Sequence, residues 1–115
     1  MSLGFEITNM RLSDQEKSAC MLALNEVFGK DAKIWLFGSR VDDSKHGGDV
    51  DLYIETFADI NVAVAKIEFR KLIWPTFGDQ KIDIIVRCKG QPLTAFQEMA
   101  KQTGVLLNNS MPRQV

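Results

Sequence analysis

The sequence predicts an α+β fold, on three observations. Three short apolar runs, at 32–37, 49–55 and 81–87, have strand length. Between and around them lie segments with helical apolar spacing, introduced by N-cap residues. Gly29, the Gly47-Gly48 pair, Trp74-Pro75 and Gly90-Gln91-Pro92 punctuate the chain at the junctions. The resulting order is α-β-β-α-β-α within 115 residues, the size of one small domain. Residues 13–103 are expected to form its core, with flexible ends at 1–12 and 108–115.

Ser13-Asp14-Gln15-Glu16 is a capping-box pattern and opens the first helix, which runs to about Phe28. Ala19, Leu22, Ala23, Val27 and Phe28 supply its apolar stripe, and Gly29 its C-cap. Ala32 to Phe37 is apolar on both faces, as in a central strand. Gly38-Ser39 is a turn, followed by a polar loop closed by two glycines. The second strand starts at Asp49 and ends near Glu55. Asp59-Ile60-Asn61 starts the second helix, with Val62, Ala65, Ile67, Phe69 and Leu72 on its buried side. Trp74-Pro75 is expected to end it, because proline disfavours helical dihedrals in the residue before it. Lys81 to Arg87 is the third strand. Pro92-Leu93-Thr94 starts a last helix that reaches about Gln102, with Gly104 as its stop.

Acids stand inside two of these apolar strands. Side chains alternate faces along a strand, so Asp49 and Asp51 point the same way and Val50, Leu52 and Ile54 point toward the core. In the third strand Ile82, Ile84 and Val86 share the core face, and Asp83 takes the other. Carboxylates ~4 Å apart repel by about 4 kcal/mol at an effective dielectric of about 20. Such a cluster persists if a cation neutralises it, if one member is protonated, or if all point into water. If the second and third strands are neighbours, Asp49, Asp51 and Asp83 form an all-oxygen donor set suited to magnesium or manganese. Glu55 shares their face but lies ~13 Å further along its strand. Arg87 shares the face of Asp83 and is a candidate counter-charge to it.

Composition narrows the classes. Apolar content of 45% and charged content of 25% are ordinary for a soluble domain. A formal net charge of −1 gives no global attraction to long nucleic acid. Cys20 and Cys88 lack metal-type spacing and read as reduced thiols in an intracellular protein. No run approaches the length of a membrane span, and the opening residues lack a signal-peptide pattern, so a cytoplasmic location is expected.

Gly38-Ser39-Arg40, then Gly48-Asp49-Val50-Asp51-Leu52, then Asp83 on a later strand together resemble the DNA polymerase β-like nucleotidyltransferase superfamily. The short chain and the Gly-Ser-Arg form are most similar to its minimal nucleotidyltransferases. The resemblance covers residues 33–87. It departs from the commonest minimal pattern at Val41-Asp42-Asp43-Ser44-Lys45-His46-Gly47. It implies a small mixed sheet with helices packed on one face, the palm-like fold of the superfamily. It implies two magnesium ions, with manganese possible in their place, held by Asp49, Asp51 and Asp83 as catalytic carboxylates. Gly38, Ser39 and Arg40 would bind the nucleotide's phosphates through turn amides, a hydroxyl and a guanidinium. The implied reaction transfers a nucleoside monophosphate, AMP from ATP, to a hydroxyl acceptor and releases pyrophosphate. Minimal members resemble one half of a two-gene system. A separate helical, HEPN-type protein is then substrate or partner, and the transferase can act as an antitoxin. A homodimer is the other expected assembly.

Plainer readings stand beside these. The acids could form a solvated strand edge, and Gly38-Ser39 only a turn. The chain could be a non-catalytic nucleotide- or partner-binding module with a structural cation site, or a metal-dependent phosphohydrolase.

Overall fold

The computed structural model describes residues 12–37 and 50–109, and the α+β class is as expected. Helix α1 spans Asp14–Phe28, strand β1 Lys33–Phe37, strand β2 Val50–Thr56, helix α2 Val62–Phe77, strand β3 Ile82–Cys88, and helix α3 Ala95–Thr103. A two-residue strand β4, Val105–Leu106, and a 3-10 turn at Leu107–Asn109 follow. The sheet order is β3-β2-β1-β4. β1 is antiparallel to both β2 and β4, while β2 and β3 are parallel. The sheet is therefore mixed, with α2 as the crossover that parallel neighbours require.

Local chemistry sets the helix ends. Ser13 forms the capping box of α1, its hydroxyl accepting from Glu16 N–H at 3.0 Å while Glu16 accepts from Ser13 N–H at 3.0 Å. Asn61 caps α2 and Thr94 caps α3 in the same way as acceptors. Trp74-Pro75 does not end α2, which runs on to Phe77. A proline this near a C-terminus removes only one ladder donor. Burial of Phe77, and Gly78 N–H donating to Trp74 O at 2.7 Å with φ at 67°, hold the last turn.

The main core lies between the sheet and the α1–α2 layer. Leu24, Phe28, Phe69 and Ile73 meet Ile34, Leu36, Leu52 and Ile54 there. Phe28 and Phe69 stack tilted at 5.9 Å. The expected apolar stripes need correction: Leu22, Ile67 and Leu72 are exposed, and Cys20, Leu24 and Ile73 are buried instead. These apolar segments are wider than the single face a helix can bury. Thr56 is the buried polar residue of the sheet; its hydroxyl donates to Phe28 O at 2.8 Å and accepts from Ala58 N–H at 3.1 Å. Thr56→Val should lower stability by about 1–3 kcal/mol in urea melts, because it strands both backbone partners.

Helices on one face describes α1 and α2 only. α3 packs on the opposite face, where Ala100 joins Trp35, Phe37 and Tyr53 in a second, smaller cluster. A β1 strand apolar on both faces needs such a second cover. The packed structure also extends beyond residue 103. Leu107 is buried, and the Asn108 amide donates to Ala32 O at 2.8 Å and accepts from Ile34 N–H at 3.3 Å. Asn108 thus continues the pairing along β1 with its side chain. No helix among the described residues is long and apolar enough to cross a membrane.

Candidate functional site

The face of the sheet away from α1 and α2 is organised in three rows across the strands. Phe37 pairs with Asp51, and Asp51 with Asp83. Next come Trp35, Tyr53 and Ile85, and then Lys33, Glu55 and Arg87. The acids thus occupy one row at one end of the sheet. Parallel neighbours in register put Asp51 and Asp83 on the same face, with backbones ~4.8 Å apart. Asp83 is exposed and Asp51 half-buried.

Two contacts fix the row. Val50 N–H donates to Lys81 O at 2.9 Å, which sets the register of the acid-bearing strand ends. Arg70, from α2, donates its guanidinium to the carbonyl of Ile82, just before Asp83. The crossover helix therefore anchors the strand that it delivers. Asp51 and Asp83 are the two expected site residues that the structure describes, and it brings them together. Asp49, Gly38, Ser39 and Arg40 lie outside the described residues. Among the described residues no third carboxylate, histidine or cysteine joins the pair.

Adjacent carboxylates are hard oxygen donors whose repulsion a divalent cation relieves, so the donor chemistry fits magnesium or manganese. Phe37, the neighbour of Asp51, meets the Phe96 ring edge-on at 5.7 Å, which ties the first turn of α3 to this end of the sheet.

Arg87 does not serve as counter-charge to Asp83. It pairs with Glu55 at 3.1 Å, and Lys101 of α3 reaches the same carboxylate oxygen at 3.0 Å. The Tyr53 hydroxyl donates to Glu55 at 2.7 Å. Lys101 also lies 5.2 Å from the Trp35 ring centroid. Burial alone would raise the Glu55 pKa. The Tyr53 hydrogen bond and the Lys101 and Arg87 charges outweigh it and hold the carboxyl below its ordinary range. The Tyr53 hydroxyl is pushed up, by burial first and then by Glu55. Sequence parity placed Glu55 on this face, but not its partner on α3, which comes from a distant segment.

A depressed folded pKa adds stability above the unfolded value of about 4.3 and loses it as pH falls through the folded value. Glu55→Gln should therefore lower stability by about 1 kcal/mol near neutral pH, after solvent screening of these partly exposed pairs. The gap to wild type should close below about pH 4 in thermal melts taken as a pH series.

Cys20 is buried and Cys88 half-buried, and both are free thiols. Burial first, with Glu16, pushes the Cys20 thiol up to about 12, so it is an inert core group. A groove between α1 and α2, lined in part by Leu22, Leu72, Pro75 and Glu26, lies in the helical layer across the sheet from the acids. Its lining also includes Asp14, and neither Asp51 nor Asp83 reaches it. Comparison with protein-family models and with curated proteins finds no match to this chain.

Proposed function

We propose that this chain is a metal-dependent nucleotidyltransferase of the minimal type. In the proposed reaction an acceptor hydroxyl attacks the α-phosphorus of ATP. The α–β phosphoanhydride bond breaks, pyrophosphate departs, and the hydroxyl proton goes to a nearby base. Asp51 and Asp83, with Asp49, would hold magnesium or manganese. Bound there, the ions would offset the charge of the carboxylates and the triphosphate. Gly38, Ser39 and Arg40 remain the proposed phosphate contacts. Residues of the chain contribute mainly by position: the sheet fixes two carboxylates before substrate arrives.

The observation that carries this reading is the register pairing of Asp51 with Asp83 on parallel strands. An acid pair that joins the edge strand β3 to its inner neighbour β2, one strand from an apolar strand that leads into Gly38-Ser39, suits a phosphate-transfer site. The mixed four-stranded sheet is compatible with a nucleotidyltransferase-like fold.

A separate helical protein, or a second copy of the chain, is the proposed partner, with a cytoplasmic setting. Leu22, Ile67 and Trp74, each more than half exposed on α1 and α2, support a docking surface there. The test is pyrophosphate release from ATP with magnesium and the helical partner. Wild type should release it and Asp51→Asn should not. Release that survives Asp51→Asn unchanged refutes the catalytic assignment. Nucleotide binding without release in wild type favours a binding module.

A further inference from the structure

The geometry points to Phe96 as the nucleobase platform of this site, an inference that rests on the nucleotidyltransferase reading. α3 buries only Ala100, yet it presents large apolar side chains: Phe96 is 49% exposed and Met99 43%. These two are a helical step apart, so they share one side of α3. Phe96 is not adrift on that side. Its ring meets Phe37 edge-on at 5.7 Å and an interplanar angle of 76°, which leaves ring surface open while fixing its direction. Phe37 in turn is the strand neighbour of Asp51, itself the neighbour of Asp83. One strand spacing, ~4.8 Å, and one ring contact therefore separate a held, half-exposed aromatic from the acid pair.

The two ends of that row match the two ends of a nucleotide. The triphosphate requires cation and oxygen chemistry, which the carboxylates offer. The base requires a flat apolar surface and accepts stacking irrespective of its identity. α3 is fixed relative to the sheet at its far end by Lys101 on Glu55 at 3.0 Å, so the platform keeps its distance from the acids. The ribose would then pass over Phe37, which links Phe96 to Asp51.

The experiment compares binding of ATP and of inorganic tripolyphosphate, both with magnesium, to wild type, Phe96→Leu and Phe96→Tyr by calorimetry. Circular dichroism melts accompany each variant. Leucine keeps an apolar contact with Phe37 and removes the stacking plane; tyrosine restores the plane. The expected result is a Kd for ATP raised about 10-fold in Phe96→Leu, within the range of base–aromatic stacking. Phe96→Tyr should bind as wild type, and tripolyphosphate should bind all three alike. ATP affinity unchanged in Phe96→Leu, or lost equally for ATP and tripolyphosphate, overturns the assignment of Phe96 and leaves the parent reading standing. A wild type that binds neither ligand overturns both.

Discussion

Asp51→Asn and Asp83→Asn, each alone, are expected to reduce pyrophosphate release by about a thousandfold. Removing one of two adjacent carboxylates takes away several kcal/mol of the charge complementarity that a metal-assisted transfer depends on, and each 1.4 kcal/mol is a factor of ten. The Asp83 substitution should have the opposite sign on stability without metal. Asp51 and Asp83 are register partners on one face, and like charges so placed destabilise a sheet by ~0.2–1 kcal/mol. Asp83→Asn should therefore melt at or slightly above the metal-free wild type. Magnesium at ten times its Kd should stabilise wild type by about 1.4 kcal/mol and do little for either variant. Differential scanning calorimetry with and without magnesium reads both effects. A wild type indifferent to magnesium would return the acids to the status of a solvated edge.

The second large effect is expected at Gly104. Its φ of −89° is open to any residue, so backbone preference is not the issue. Space is: a Cβ there would lie 2.6 Å from Ala100 O and 2.7 Å from Leu36 O. Both are backbone atoms, one in the last turn of α3 and one in β1, and neither can move aside alone. Gly104→Ala should cost about 3 kcal/mol, at the upper end of overpacking. For a chain of this size that lowers Tm by roughly 10 °C. The displaced β4 would also shift α3 against Phe37, so on the proposed placement of the nucleobase ATP affinity should fall at temperatures where the variant is still folded. Calorimetric melts and low-temperature titrations check the two parts separately.

Some of this arrangement was legible in the residues and some was not. The Ser13–Glu16 box marked the start of α1 to the residue, because capping is a local interaction. Parity placed Asp51 and Asp83 away from the core, since a strand allows two faces only. That the two are partners depends on register between strands joined through α2, which no local pattern carries. Residues Val105 and Leu106 form β4, yet two residues are too few to display alternation. The position of α3 was hidden for a related reason: it buries a single alanine, and its other ties to the sheet, Phe96 on Phe37 and Lys101 on Glu55, join distant segments. The doubly apolar β1 was the available hint that a second layer covers the sheet. Pro75 misled because the rule that proline ends helices is a preference. A buried Phe77 overrides it at the end of α2.

β2 and β3 run in the same direction, so the two carboxylates become neighbours only after the intervening helix has doubled back across the sheet. A ribosome-bound chain truncated within α2 would carry Asp51 without its register partner Asp83. On the proposed metal-dependent reading, affinity for divalent cations would rise with chain length at the point where β3 emerges and docks. Arrested nascent chains of graded length could be assayed for that onset.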